Sequence, residues 1–216
     1  MADLLSIERD GAAAARTALE RCVLDGGVAV FPADGLYGLA CDPLRAEAIA
    51  RIHAIKGRDD GKPSAVMYFS PLAMRELLAG LGERSRDAVA ALLPGPLTLV
   101  LANPEQRYPL ACRDERGRIG VRLIGGPLAG ASCVIFQTSA NRSGEPAPSR
   151  FTAVEPAVLA AADLAIDGGE LTGLPSTVVD LTAIEDGGGW RVLREGAVPA
   201  AELEERLREA GLAGKA

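Results

Sequence analysis

The chain has 216 residues, of which 48% are hydrophobic, 24% charged and 4% aromatic, and its net charge is −6 at pH 7. That length supports a substantial core, while the acidic total argues against nucleic-acid binding through overall charge and the scarcity of rings argues against a base-stacking platform. Four scattered cysteines without a CxxC pair, beside one histidine, argue against a zinc centre and for free thiols in a reducing compartment. The N-terminal MADLLSIERD lacks a basic-then-apolar leader and no apolar run reaches the roughly 20 residues of a membrane span, so a cytoplasmic protein is expected.

Residues 11–25, GAAAARTALERCVLD, predict an alanine-rich helix stopped by Gly26 and Gly27. VAVFP (28–32) reads as a buried strand ended by Pro32. A helix over 45–55 places Ile49 and Ile52 on one face and ends at Gly57. AVMYF (65–69) is a strand, followed by two helices within 71–93 that break near Gly80–Gly82 and end at Pro94. LTLVLA (97–102), RIGVRLI (118–124) and CVIFQT (133–138) are strands. A helix near 152–162 precedes strands LAID (164–167), STVVDLT (176–182) and WRVLR (190–194), with a charged helix from about 200. Helices and strands mix without repeat or linker, which predicts one α/β domain over 1–216 on a mixed, twisted sheet.

The polar motifs fall at strand ends, where open α/β sheets place ligands. IHAIKGRDDGKPSAVMYF (52–69) sets Lys56, Arg58 and Lys62 in one turn, yet it is not a phosphate-binding P-loop. Only three residues separate Gly57 from Gly61–Lys62, and Pro63 stands where Ser or Thr would hold magnesium. Singly, each polar residue has a plain structural use. Lys56 complements a helix C-terminus, Ser139 and Asn141 build a turn, and Arg194 is a strand-end charge. Together, Lys56, Arg58, Arg122 and Arg194 supply fixed positive charge, while Ser139, Asn141, Ser176 and Thr177 supply compact donors and acceptors. That set suits a polyphosphate and the charge that develops during phosphoryl transfer. Magnesium would then be held mainly by the phosphates, with no protein side chain as a metal ligand. GxSxG, HExxH and GxGxxG are absent, and the single His53 reads as a packed or surface side chain, which removes the usual hydrolase schemes.

In this order, FPADGLYGLACDP, KGRDDGKPSAVM, LLPGPLTLVL, IGVRL, TSANRSGEPAPS, DGGELTGLPSTVVDLT and VLREGAV resemble the YrdC-like family, from about Gly27 to Pro199. PGPLT, SANxSG and PSTVVD in succession are the specific part of the match. Characterised members are threonylcarbamoyl-AMP synthases, and the length is similar to their short form. The resemblance implies a mixed twisted sheet with flanking helices, α/β (α+β), around a concave, positively charged cavity. It implies conversion of L-threonine, bicarbonate or CO2, and ATP with Mg2+ to threonylcarbamoyladenylate and pyrophosphate. Partner proteins then transfer the threonylcarbamoyl group to the adenosine at position 37 of tRNA.

The family pattern places catalysis on Lys56 and Arg58. It assigns ATP contacts to Lys56, Arg58, Lys62, Thr98, Ser139, Ala140, Asn141, Ser149 and Arg194, and amino-acid contacts to Gly35, Met67, Arg122 and Ser176. The chain departs from that pattern at Ala33 and Gly35, where threonines are usual, at Met67, where a histidine is frequent, and in LIGGP after Arg122. Two other readings stay open: a family paralogue with a different acceptor or no synthesis, and a module that binds tRNA or double-stranded RNA on the concave surface.

Overall fold

The computed structural model describes residues 2–57, 62–212 and 214. In chain order the elements are β1 (Asp3–Ser6), α1 (Ile7–Asp10), α2 (Ala12–Leu24), β2 (Ala29–Ala33), β3 (Leu36–Cys41), α3 (Ala46–Ile55), β4 (Ala65–Tyr68), α4 (Arg75–Ala79), α5 (Glu83–Leu92) and β5 (Leu97–Ala102). They continue with α6 (Pro109–Cys112), β6 (Arg118–Leu123), β7 (Ile135–Ser139), a 3-10 turn (Phe151–Ala153), α7 (Pro156–Ala161), β8 (Leu164–Asp167), β9 (Thr177–Asp180), β10 (Arg191–Arg194) and α8 (Ala200–Glu209).

All strands join one mixed sheet in the order β1-β8-β2-β3-β7-β4-β6-β5-β9-β10. β8 pairs in parallel with β1 and β2, as do β4 with β6 and β5 with β9; the remaining pairs are antiparallel. Strand twist accumulates across such a sheet. It carries the tip of the β2–β3 hairpin over one face of β6, where Asp34 of the tip meets Arg122.

Alternation along each strand decides what the two faces do. Val30, Leu39, Val66, Leu99, Val121 and Val179 point to the fully packed face. Helix α3 covers it with Ala48, Ile49 and Ile52, α5 with Ala88, Val89 and Leu92, and α8 with Leu203 and Leu207. Each large side chain buried this way stabilises the fold by about 1.5–3 kcal/mol relative to exposure. Opposite, α2 covers only part of the sheet, packing Ala15, Leu19 and Val23 near Phe31, Met67 and Ile135. Beyond α2 that face presents Ala65, Gly120, Gln137, Thr98 and Val100, and small side chains leave a hollow there.

Several boundaries differ from the sequence expectations. Pro32 does not end a strand: it lies inside β2, opposite Tyr37. Pairing of β2 with β8 covers only Ala29 and Val30, so the missing N–H of Pro32 removes no bond from that ladder. The 152–162 helix is a 3-10 turn and a short helix opening on Pro156. CVIFQT starts later, as β7 runs Ile135–Ser139. The sequence reading did not contain β1, α1, β3 or α6. Gly57 does follow α3, with φ +76°, as a helix-ending glycine should. The four cysteines are free thiols, Cys41 and Cys112 buried and Cys22 and Cys133 half-buried. Among the described residues no helix is long and apolar enough to cross a membrane.

Candidate functional site

The hollow is a cavity of about 450 Å³ whose wall includes Thr98, Arg118, Arg122, Gln137, Ser139, Ser176 and Arg194. A second cavity of about 340 Å³, lined by His53, Lys56, Lys62 and Asn141, shares Pro63, Ser64, Thr138, Ser139 and Arg194 with the first. The two make one cleft with two lobes.

In the smaller lobe, Lys56 stands at the end of α3, and its Nζ donates to the carbonyls of Ser139 at 2.8 Å and Asn141 at 2.9 Å. The backbone closes the same junction, since Ser143 N donates to Lys56 O at 2.9 Å. Lys56 thus ties the helix end to the SAN turn and brings its charge to the lobe. Asn141 Nδ2 donates to the carbonyls of Arg142 and Glu145, which shapes the turn, while Oδ1 is buried without a partner among the described residues. His53 Nε2 lies 2.8 Å from Arg113 Nη2 and its ring meets Phe136 edge-on.

In the larger lobe, Thr98 Oγ1 and Ser176 Oγ share a buried hydrogen bond of 2.8 Å. Arg194 Nη2 donates to Ser176 O at 2.7 Å and to its Oγ at 3.1 Å. These three residues from β5, the β8–β9 connection and β10 form one chain of polar contacts. Burial pushes the Arg194 guanidinium below its usual range. Arg122 is only 6% exposed and donates through Nη1 to Gln137 Oε1 at 3.0 Å and through Nη2 to Asp34 Oδ2 at 2.5 Å. Burial raises the Asp34 carboxyl above its ordinary value and lowers Arg122; each partner's charge opposes that shift only in part.

The buried side-chain polar atoms without a hydrogen-bond partner among the described residues are Arg118 Nε, Arg122 Nε and Asn141 Oδ1. All three residues line this cleft. An unmet buried polar atom costs about 1–3 kcal/mol, so their concentration here marks a surface prepared for a polar ligand.

The structure therefore gathers Lys56, Lys62, Ser139 and Asn141 in one lobe, and Gly35, Thr98, Arg122, Ser176 and Arg194 around the other. Arg58 lies outside the described residues. Met67 is fully buried beside Phe31 and Ile135, on the part of the sheet that α2 covers, so its thioether packs the core and does not line the cleft. Ala140 is buried in the opposite core, with its amide donating to Tyr37 O at 2.9 Å. Ser149 lies beneath the 171–173 segment, its carbonyl accepting from Leu171 N at 2.8 Å. Gly35 lines the cleft through its backbone alone: a Cβ there would stand 2.0 Å from Leu174 O.

Sequence reasoning missed Asp34, Tyr37, Arg118 and Gln137. Tyr37 was findable, because a two-residue Asp-Gly turn between apolar runs signals a hairpin, and Tyr37 is the second residue of the return strand. Its hydroxyl donates to Gly169 O at 2.8 Å and accepts from Gly168 N at 2.9 Å, anchoring the start of the β8–β9 connection.

The sequence model of the Sua5/YciO/YrdC family, described as "Telomere recombination", matches residues 21–196. A protein of Xanthomonas campestris pv. campestris named threonylcarbamoyl-AMP synthase is 33% identical over 177 residues, covering 79% of this chain and 91% of that protein. The crystal structure of P. abyssi Sua5 complexed with L-threonine superposes with a TM-score of 0.81 at 28% identity, over 95% of this chain; the match spans 61% of that longer chain. E. coli YciO superposes with a TM-score of 0.79 at 25% identity, over 94% of this chain and all of that one.

Proposed function

Because the chain belongs to the Sua5/YciO/YrdC family, we propose that it is a transferase forming L-threonylcarbamoyladenylate from L-threonine, bicarbonate or CO2, and ATP, with release of pyrophosphate. The product is the activated precursor of N6-threonylcarbamoyladenosine, and further proteins transfer it to tRNA. One observation carries the reading: a single cleft holds Lys56 and Lys62 in one lobe and Arg122 and Arg194 in the other, with buried polar atoms still unmet in both.

The threonine amine adds to CO2 and loses a proton, giving a carbamate. A carbamate oxygen then attacks the α-phosphorus of ATP, the bond from the α-phosphorus to the α,β-bridging oxygen breaks, and pyrophosphate leaves with that electron pair. The reaction requires no protein nucleophile, so the chain's contribution is position and fixed charge. Lys56 and Lys62 face the leaving pyrophosphate in this reading. Arg194, held by Ser176, serves the α-phosphate between the lobes. Magnesium fits as a passenger on the nucleotide: among the described residues no group of three or more His, Cys, Asp or Glu could hold it. Carried by the nucleotide, it would neutralise charge on the polyphosphate.

The acceptor end supports a second reading, a relative that uses another amino acid, because Arg122 is already engaged by Asp34 and Gly35 offers no side chain. Pyrophosphate release measured with each amino acid in turn, with and without bicarbonate, separates the two. Release that requires both threonine and bicarbonate supports the synthase; release with another amino acid replaces the acceptor; no release in any combination removes the activity.

A further inference from the structure

The tip of the β2–β3 hairpin is a wall with two faces. Ala33 and its cross-strand partner Leu36 line the larger lobe of the cleft. Pro32 and Asp34 line a separate cavity of about 420 Å³ on the other side. Alternation of successive residues along the strand produces that division. At Asp34 the wall is one bond thick, because its Oδ2 accepts from Nη2 of Arg122, which lines the lobe.

The composition of this cavity is unlike that of the cleft. Apart from Asp34, its lining is isoleucine, leucine, proline and glycine, with no Lys, Arg or His among the described residues. Pro94, Gly125, Gly126 and Pro127 are exposed, whereas Pro32, Ile124 and Leu128 are buried, so the cavity opens to solvent beside the 125–127 segment and ends inward at Asp34. That one charged group is already paired with Arg122, and burial pushes its carboxyl above its ordinary value. An anion entering here loses hydration and finds no counter-charge. A small uncharged molecule meets no such penalty, and apolar cavities take up even xenon.

The proposed reaction needs such a molecule. The carbonyl carbon of the product comes from CO2 or bicarbonate, while the two lobes of the cleft are taken by the nucleotide and the amino acid. We infer that this cavity is a binding and delivery site for CO2, which reaches the acceptor amine past the Asp34–Arg122 contact while the other substrates fill the cleft in front. The amine nitrogen bonds to the CO2 carbon, one C=O electron pair moves to oxygen, and the nitrogen's proton passes to water. Bicarbonate must first lose hydroxide, and the cavity offers it no cation. The inference rests on the synthase reading for the acceptor amine, but occupancy of the cavity is measured without turnover.

Amide spectra of the natural protein under xenon, and with dissolved CO2 at matched pH without ATP, are expected to shift at Gly95, Gly125, Gly126 and Gly168. Gly125→Leu fills the cavity, since a Cβ there meets nothing within 4 Å and the position has no positive φ. Pro127→Phe crowds the mouth from an exposed position and keeps the test open where Gly125→Leu folds poorly. Each variant should abolish the shifts and raise the KM for inorganic carbon several-fold, with the KM for ATP and for threonine unchanged. Pyrophosphate release begun in the cold with CO2 should start at once, and release begun with bicarbonate should lag until carbonic anhydrase is added. Three results overturn the assignment: release from bicarbonate without a lag, an unchanged KM for carbon in variants that have lost the shifts, or no shift with either gas. Gas shifts without pyrophosphate release under any condition strike the synthase reading and the delivery step with it, while the CO2 site stands.

Discussion

Arg122 and Asp34 form a buried ion pair at 2.5 Å, joining the C-terminal end of β6 to the hairpin tip that folds over it. Burial works against both charges, and the pair offsets it only partly. The same pair sets a condition on the acceptor: a substrate carboxylate must use an Arg122 N–H that Asp34 and Gln137 leave open, or displace one of them.

That geometry gives a pH signature. Asp34 is raised above the ordinary carboxylate value, so the folded chain takes up this proton before the unfolded chain does. The associated stability is complete below the unfolded value of about 4 and is lost as pH rises through the folded value. Asp34→Asn removes this contribution. The stability difference between variant and natural protein should therefore move in the variant's favour as pH rises from about 4, read from urea midpoints across the range. A difference that stays flat with pH would show that Asp34 titrates at its ordinary value.

Lys56→Ala should act twice. Adenylate formation is expected to fall by about 10²-fold or more, as for loss of a charge partner in the transition state. The melting temperature should fall as well, because the same nitrogen binds Ser139 O and Asn141 O. Pyrophosphate assays at saturating ATP, beside thermal melts, separate the effects; a large melting shift with near-natural turnover would leave Lys56 as a structural tie only.

Gly35→Ala is expected to destabilise the protein by about 1–3 kcal/mol, the usual scale of overpacking. Its Cβ would collide with Leu174 O and crowd Thr172 Oγ1. The 171–175 segment must shift to admit it, so the KM for the amino acid should rise more than the KM for ATP. Gly35→Thr adds a larger clash and is no simple restoration of a hydroxyl.

Thr98 and Ser176 should prove coupled. Thr98→Val and Ser176→Ala each break the 2.8 Å bond, and Ser176→Ala also takes a contact from Arg194. A double-mutant cycle on ATP affinity is expected to give a coupling of about 0.5–1.5 kcal/mol. Additive losses would mean that the two hydroxyls bind ligand independently.

Much of this site was legible before the fold, for identifiable reasons. Lys56, Ser139, Asn141, Ser176 and Arg194 follow or precede clear strands and helices, and local pattern is enough to place such ends. Asp34 and Arg118 were not legible because their significance lies in partners distant along the chain. Met67 shows a different limit. Alternation correctly sets it on the face of Ala65 and Arg122, but how far α2 extends over that face is a matter of tertiary packing. The short edge strand β1 holds only four residues, paired with the distant β8, and has too little periodicity to declare itself.

The bonds that close the cleft also span the chain. Arg122 and Asp34 are 88 residues apart, Lys56 and Ser139 are 83, and Thr98 and Ser176 are 78. Contacts of such separation form after local ones, since long loops must close first. While the polypeptide emerges from the ribosome, its cations remain dispersed, and a nascent chain lacking β10 has no Arg194 to present. The charged wall of the cleft is thus completed last: it depends on the final strand, β10, whose loss would remove Arg194 and its hold on Ser176.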